Sequence, residues 1–206
     1  VARLSRYRTL LYRYKSYGAA WVLSNELAGA LGATPAQVRK DFSMFEMAGK
    51  KKMGYSVHAL INRLDHVLGR SESHQVILGG AGPLGRLLVS ESLFDNQGIN
   101  ITAAFEGSPQ RLRDAAAMLR IPVLPLNQLI AFVKQHGIRV GIIATTDGSA
   151  QRILDEMVLA GIQGVLNLSP MELKSPKSCY VSTVNIFYEF EKVLYFVRHG
   201  AGRKMP

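Results

Sequence analysis

Residues 75–106 constrain this chain more than any other stretch. An apolar run, Val76-Ile77-Leu78, is followed at once by Gly80-Ala81-Gly82-Pro83-Leu84-Gly85. A helix-like run to Phe94 and a second apolar run, residues 99–105, come next, and Glu106 closes the unit 21 residues after Gly85. Strand, glycine turn, helix, strand and acid in that order make a dinucleotide-binding unit. Each residue type has a physical job. Gly80 permits the tight turn, Gly82 lets backbone approach a pyrophosphate, and Gly85 lets the helix pack close on the strand. Pro83 costs nothing at a first-turn position, where an N–H has no intrahelical acceptor to lose. Free N–H groups at the helix start and the helix dipole favour phosphate charge, so Gly80, Ala81, Gly82, Pro83, Leu84 and Gly85 form the candidate cradle. Glu106 would accept from a ribose 2′-OH and repel a 2′-phosphate, which favours NAD(H) over NADP(H). The alternative is a glycine-rich turn with no ligand, against which the flanking strands and the spaced acid weigh.

The rest of this half keeps the same alternation. Ser108 caps a helix to residue 119, residues 121–123 form a short strand, and residues 126–135 a helix that Gly137 ends. Residues 139–145 read as a buried strand, Asp147-Gly148-Ser149 as a turn, 150–160 as a helix and 164–168 as the next strand. Alternation of this kind predicts a parallel sheet with helices on both faces, and a ligand at the carboxyl ends of the strands. Glu106 and the Thr145-Thr146-Asp147 turn then border one crevice. Thr145 and Thr146 either line the nicotinamide half or are ordinary turn residues.

No catalytic set emerges. A dehydrogenase needs an acid–base group beside the nicotinamide. His74 precedes the first strand, His136 ends a helix, and His58, His66 and His199 lie in predicted helices outside the sheet. Residues 75–182 leave no room for a substrate domain. Sensing is expected rather than turnover.

The first third has a different character. Residues 1–70 carry 12 Lys/Arg against 4 Asp/Glu, a net +8, whereas the remainder is near neutral with a net +2. Such asymmetry suggests a nucleic-acid-binding module joined to a ligand-binding one. Leu4, Tyr7, Leu11 and Tyr14 share one face of a helix over residues 4–17, with Arg6 largely off that face. Ser24 is expected to cap a second helix, residues 25–31, which Gly32 ends; Thr34-Pro35 opens a third, with Val38, Phe42 and Phe45 inward. Two short helices joined by a tight turn make a helix-turn-helix. Gln37, Arg39, Lys40 and Ser43 are left to face a major groove, where Gln37 can read a base edge. Asp41 is expected to orient Arg39 or Lys40 rather than touch DNA. Gly49-Lys50-Lys51-Lys52-Met53-Gly54-Tyr55 looks like the hairpin tip of a wing, with its lysines and Tyr55 approaching phosphates or the minor groove. A helix over residues 57–68 would pack beneath, and residues 69–74 form the boundary. The bland alternatives are a small helical subdomain with solvated cations and a plain loop.

Residues 183–199 form a helix apolar on most sides, too wide an arc for a surface helix. It needs two things to pack against, its own sheet and a second subunit; the alternative is burial within its own domain. The lone cysteine excludes an internal disulfide and a cysteine-rich zinc site, and no metal set is evident. Neither a membrane-length apolar run nor a signal-peptide core is present in the sequence, so a cytoplasmic setting is expected.

A basic winged helix, a Rossmann unit and a long apolar terminal helix resemble the Rex family of redox-sensing repressors, over nearly all of residues 3–199. The resemblance is carried by Val38-Arg39-Lys40-Asp41-Phe42, by Gly49-Lys50-Lys51 followed by Gly54-Tyr55, and by residues 76–85. Val165-Leu166-Asn167-Leu168-Ser169-Pro170, Glu189 and Leu194-Tyr195-Phe196 add to it. It implies an α/β chain of three parts: a winged helix-turn-helix at 1–70, a Rossmann NAD(H)-binding domain at 75–182, and a domain-swapped dimerisation helix at 183–199. It implies a homodimer on a palindromic operator in double-stranded DNA, released by NADH and compatible with NAD+, with no enzyme activity. Asn185, where the family has Asp, joins the candidate cofactor contacts. The chain departs from the family pattern at Ser5, Thr9, Lys52, Asn185 and Thr146-Asp147. NAD(H) binding is therefore expected to survive while redox control of DNA binding is weakened or changed. Two other readings are a regulator that senses another adenine nucleotide and, less favoured, a small NAD(P)-dependent oxidoreductase.

Overall fold

In the computed structural model, which describes residues 1–90, 98–146 and 148–200, the chain divides into two units, Val1–Glu72 and Ser73–Pro206. The predicted helix to Phe94 is therefore seen only in part, and Asp147 and residues 201–206 lie outside the described residues.

The first unit is built on helices α1 (Ala2–Ser16), α2 (Ser24–Leu31), α3 (Pro35–Ser43) and α4 (Val57–Val67). Leu4, Tyr7 and Leu11 of α1 are buried with Leu27, Val38, Phe42, Leu60, Ile61 and Leu64. Tyr7, Phe42 and Tyr55 stack edge-on in series, with centroids 5.0 Å apart at each step. Arg8 of α1 pairs with Asp65 of α4 and closes the rim of this core. The cap of α2 differs from expectation. The helix begins at Ser24 and follows Leu23, whose N–H donates to Glu26 Oε2 at 2.6 Å. Gly32 ends it at φ 63°, a left-handed position suited to glycine. Thr34 caps α3 through Oγ1, which accepts from the Gln37 N–H at 3.2 Å, with Pro35 first in the helix. Strand β1 (Trp21–Val22), not foreseen, pairs antiparallel with β2 (Tyr55–Ser56) and forms the base of the wing.

The second unit is a six-stranded sheet in the order β5-β4-β3-β6-β7-β8, parallel throughout. Its strands are β3 (His74–Gly79), β4 (Ile99–Glu106), β5 (Val123–Pro125), β6 (Val140–Ile143), β7 (Gly164–Asn167) and β8 (Tyr180–Thr183). The order reverses between β3 and β6, the switch point at which such sheets open a crevice. Helices α5 (Pro83–Ser90), α6 (Pro109–Met118), α7 (Leu129–His136), α8 (Ala150–Ala160) and α9 (Ile186–His199) complete the unit. Side chains of β3 alternate between two cores. Ile77 joins Phe105, Leu129, Ile143, Leu154 and Met157 on one face. Val76 and Leu78 join Leu88, Ile101, Ala104, Ala115 and Ile142 on the other. Burial on both faces is why β3 reads as a continuous apolar run.

Three boundaries shift. The short strand begins at Val123, because Pro122, with no N–H to give, precedes the ladder and offers only its carbonyl to the Ala104 N–H, at 2.9 Å. Strand β8 takes residues that had been read in part as helix. Helix α9 then starts at Ile186, where Asn185 Oδ1 accepts from the N–H groups of Phe187 (3.0 Å) and Tyr188 (3.2 Å). None of the residues of α9 is buried. Phe187 is 78% exposed and Val197 80%, so the helix is not packed within its own unit. Among the described residues no helix is long and apolar enough to cross a membrane.

Candidate nucleotide crevice and nucleic-acid face

The glycine loop sits at the carboxyl end of β3. Gly80 has φ +97°, and a Cβ there would lie 2.9 Å from the Ala144 carbonyl oxygen. Both facts demand glycine. A Cβ on Gly85 would lie 2.2 Å from the Gly80 carbonyl oxygen, so α5 rests directly on the turn. At Gly82 nothing lies within 4 Å of the same position. The loop is thus crowded on its protein side and open at the point where a pyrophosphate would approach. Pro83 opens α5. Leu84 packs against the core beneath.

Glu106, only 5% exposed, meets this loop from the end of β4. Its Oε2 accepts from the buried Ala81 N–H at 3.0 Å. Its Oε1 accepts from the Ser108 N–H at 2.8 Å and from Arg111 Nε at 3.3 Å. A buried carboxylate must be satisfied in this way or be expelled. An ionised carboxylate has about four acceptor positions, so one remains for a sugar hydroxyl. Beside Glu106 opens a cavity of about 400 Å³, with Pro109, Leu112, Arg113, Leu126 and Asn127 among its walls. That volume and its mainly apolar lining suit a nucleoside. Leu126 and Asn127 were missed in the sequence. They follow the carboxyl end of β5, which was itself the signal that places a residue at the crevice.

Across the switch point, Thr145 is close to the loop: a Cβ on Gly80 would lie 3.2 Å from the Thr145 Cβ. Thr145 is buried, its Oγ1 lying 3.3 Å from Ser149 Oγ, and Thr146 is exposed. Asn185 occupies its side-chain oxygen in capping α9, an employment its candidate role had not included. Farther along the sheet, the fully buried Asn167 ties the ends of β7 and β8 to the loop that follows β7. Its Nδ2 donates to the Met171 carbonyl (2.8 Å) and Thr183 Oγ1 (3.2 Å), and its Oδ1 accepts from Ser169 N–H (3.0 Å) and Oγ (2.7 Å).

In the first unit, Arg6 on α1, Arg39, Lys40 and Ser43 on α3, and Lys50, Lys51 and Lys52 at the wing tip are all exposed. Arg39 Nη1 donates to Ser24 Oγ at 3.2 Å, which ties α3 to the first turn of α2. Arg6 Nη2 donates to the Leu31 carbonyl at 3.4 Å. The wing tip closes through Lys50 N–H to the Gly54 carbonyl (2.7 Å) and Gly54 N–H back to Lys50 (2.9 Å), with Lys52 at φ 68°. Lys50 Nζ stands 5.3 Å from the Trp21 ring centroid, an aromatic partner that sequence reading passed over.

Two expectations are corrected here. Tyr55 is not presented to DNA: it is 9% exposed and packed on Phe42, because β2 turns it inward beneath the wing. Asp41 does not orient Arg39 or Lys40. It points inward from α3 and takes a bidentate pair from Arg3 (2.8 and 2.9 Å), the Tyr7 hydroxyl (2.9 Å) and Gln37 Nε2 (2.7 Å). Arg3 beside it, with the hydrogen bonds of Tyr7 and Gln37, holds the Asp41 carboxyl below its ordinary range against the opposing effect of burial. Burial, then the hydrogen bond to Asp41, pushes the Tyr7 phenol up to about 12. Gln37 is therefore half-buried and already engaged on one side.

Residues 1–43 match the family described as "Putative DNA-binding protein N-terminus", and residues 71–171 match "CoA binding domain". The chain is 36% identical over 191 residues to the redox-sensing transcriptional repressor Rex of Desulforamulus reducens, which spans 93% of this chain and 90% of that one. The crystal structure of RSP in complex with β-NAD+ and operator DNA superposes with a TM-score of 0.87 at 28% identity, covering 96% of this chain and 90% of that one. RSP in complex with β-NADH gives a TM-score of 0.83 at 28% identity, covering 96% and 92%. The chain belongs to the Rex family of redox-sensing transcriptional repressors.

Proposed function

We propose that this chain is a transcriptional repressor that binds a palindromic operator in double-stranded DNA as a homodimer, with an operator affinity set by NADH and NAD+ in the glycine-loop crevice. The carrying observation is the crevice itself. Gly82 is open where phosphate would lie, and Glu106 retains an acceptor position beside a nucleoside-sized cavity. In this reading the N–H groups at the start of α5 hold the pyrophosphate, Glu106 takes a ribose hydroxyl, and Thr145 and Thr146 border the nicotinamide half. The cofactor supplies two redox forms that differ in nicotinamide charge and ring shape. The protein has only to bind them differently.

The crystal structures of RSP, one with NAD+ and operator DNA and one with NADH, support this assignment for a chain of the same family. The curated relatives are named as repressors, which supports a regulator over an enzyme. Residues 1–70 act as the winged-helix DNA-binding domain, 75–182 as the NAD(H) domain and 183–199 as the dimerisation helix. The unburied apolar surface of α9 supports its exchange between two subunits. Two-fold symmetry then matches two operator half-sites. The protein works in the cytoplasm, where its DNA and NAD(H) are found together.

Linkage makes the effect reciprocal: whatever factor NADH removes from operator affinity, operator removes from NADH affinity. A second reading, a weaker redox response, is favoured by Asn185, whose neutral side chain is spent on a helix cap. Operator gel shifts with NAD+, with NADH and with neither, alongside direct cofactor titration, decide between them. Release by NADH alone supports the first reading. Tight NADH binding with unchanged DNA affinity supports the second.

A further inference from the structure

We infer that Gln37 reads an adenine in the operator's major groove, and that Asp41, fixed by Arg3 and Tyr7, sets the orientation in which it does so. This rests on the operator-binding reading above. It adds three residues behind Gln37 (Asp41, Arg3 and Tyr7) to those that determine its sequence preference.

Asp41 is 5% exposed, yet it sits one helical turn after Gln37 on the helix that displays Arg39 and Lys40. Its carboxylate is held from one side by the Arg3 guanidinium, bidentate, and by the Tyr7 hydroxyl. Tyr7 is itself immobilised, fully buried and edge-on to Phe42. The carboxylate therefore has a fixed position before any ligand arrives. An ionised carboxylate only accepts hydrogen bonds. The group that meets it at 2.7 Å must then be the Gln37 amide nitrogen, not the carbonyl oxygen. One amide proton is used inward. The carbonyl oxygen and the second amide proton remain for an outside partner.

An acceptor beside a donor on one carboxamide complements the N6–H and N7 edge of adenine. Gln37 lies in the first turn of α3, the third residue after the cap Thr34. First-turn residues of a recognition helix are those that reach base edges. A free glutamine side chain gives up considerable rotamer freedom on binding. Here that freedom is already removed by the Asp41 bond, so more of the contact energy appears as discrimination. A plain helix-stabilising pair at i, i+4 would have no need of Arg3 and Tyr7 behind it.

The test is selection from a pool of randomised DNA duplexes with the full chain and its variants. The wild-type chain should select a fixed adenine in each half-site that Gln37→Ala loses, with preference there falling roughly tenfold. Binding to a single random-sequence duplex should stay within about twofold, since phosphate contacts are untouched. Asp41→Asn should lose preference at the same position and no other, and the double variant should be no worse than either single one, because both act through one contact. Arg3→Ala supplies the same test from the exposed end of the network if Asp41→Asn fails to fold. Unchanged preference in Gln37→Ala overturns the inference. So does a loss confined to thermal stability in Asp41→Asn or Arg3→Ala, or the selection of a base other than adenine. A wild-type chain that selects no sequence at all would instead overturn the operator reading on which this one stands.

Discussion

The backbone N–H of Ala81 donates to Oε2 of Glu106 at 3.0 Å, so the acid that ends β4 is bolted to the glycine loop that ends β3. Glu106 therefore holds the cradle in shape, and on the proposed reading its remaining acceptor position takes the ribose. Glu106→Ala should do two separable things. It strands the buried Ala81 N–H, at a cost of about 1–3 kcal/mol in stability. It also removes the charge that repels a 2′-phosphate, so the preference for NADH over NADPH should narrow. Urea unfolding measures the first effect and isothermal titration with both cofactors the second. A preserved cofactor preference would leave Glu106 as a loop clamp only.

The Asp41 network gives the first unit a defined pH dependence. The folded-state pKa of Asp41 lies below its ordinary value of 3.8. Its contribution is present in full above that ordinary value and is lost as pH falls through the folded value. Tyr7 runs the other way: its pKa is raised from 10.0 to about 12, so its contribution is full below pH 10 and disappears toward pH 12. Thermal unfolding across pH should show both edges, and Asp41→Asn should flatten the acid edge. An acid edge of equal steepness in the variant would assign it to other carboxylates.

The exposed cations should divide by mechanism. Replacing Lys50, Lys51 and Lys52 by Ala together should weaken binding to all sequences and reduce the salt slope by up to about 3, if each reaches a phosphate. Arg39→Ala should cost about 1–3 kcal/mol on operator DNA with relaxed preference if it reads a base edge. Fluorescence anisotropy at several salt concentrations separates the two. An Arg39 variant with a lowered salt slope and intact preference would place that residue on the backbone instead.

Helix α9 exposes Phe187 and Val197 at 78% and 80%. A charge at either position would bury badly in any subunit interface. Phe187→Asp or Val197→Asp should shift the chain toward monomer by sedimentation velocity and weaken operator binding, with little change in the unfolding of an isolated subunit. A monomeric wild type would remove the basis of this prediction.

The parts of this fold that were legible in the sequence are those in which one local demand selects one residue type. Val76, Ile77 and Leu78 of β3 are buried on one face or the other, so each had to be apolar, and Gly80 sits at φ +97°, so only glycine serves. The parts that were not legible depend on partners far away in the chain. Asp41 looked like a neighbour of Arg39 and Lys40, but its ligand Arg3 stands 38 residues earlier. Tyr55 follows three lysines and could have turned either way; its inward turn is set by pairing with Trp21 and Val22, a strand of only two residues. β8 escaped notice because its exposed Tyr180 and half-buried Val181, Ser182 and Thr183 show no alternation. The Glu106 donors include Arg111, whose spacing from the acid follows no motif.

Were α9 buried against a second copy, as proposed, the chain would carry its own copy number into its regulatory logic. On the dimer reading, dilution below the dissociation constant disarms the repressor whatever the nicotinamide ratio, because a lone subunit presents one half-site reader and an apolar rod. Gene dosage and redox state would then be read as a product. A subunit defective in DNA binding but intact in α9 would poison its normal partners, so loss-of-function alleles in the winged helix should be dominant and those in α9 recessive.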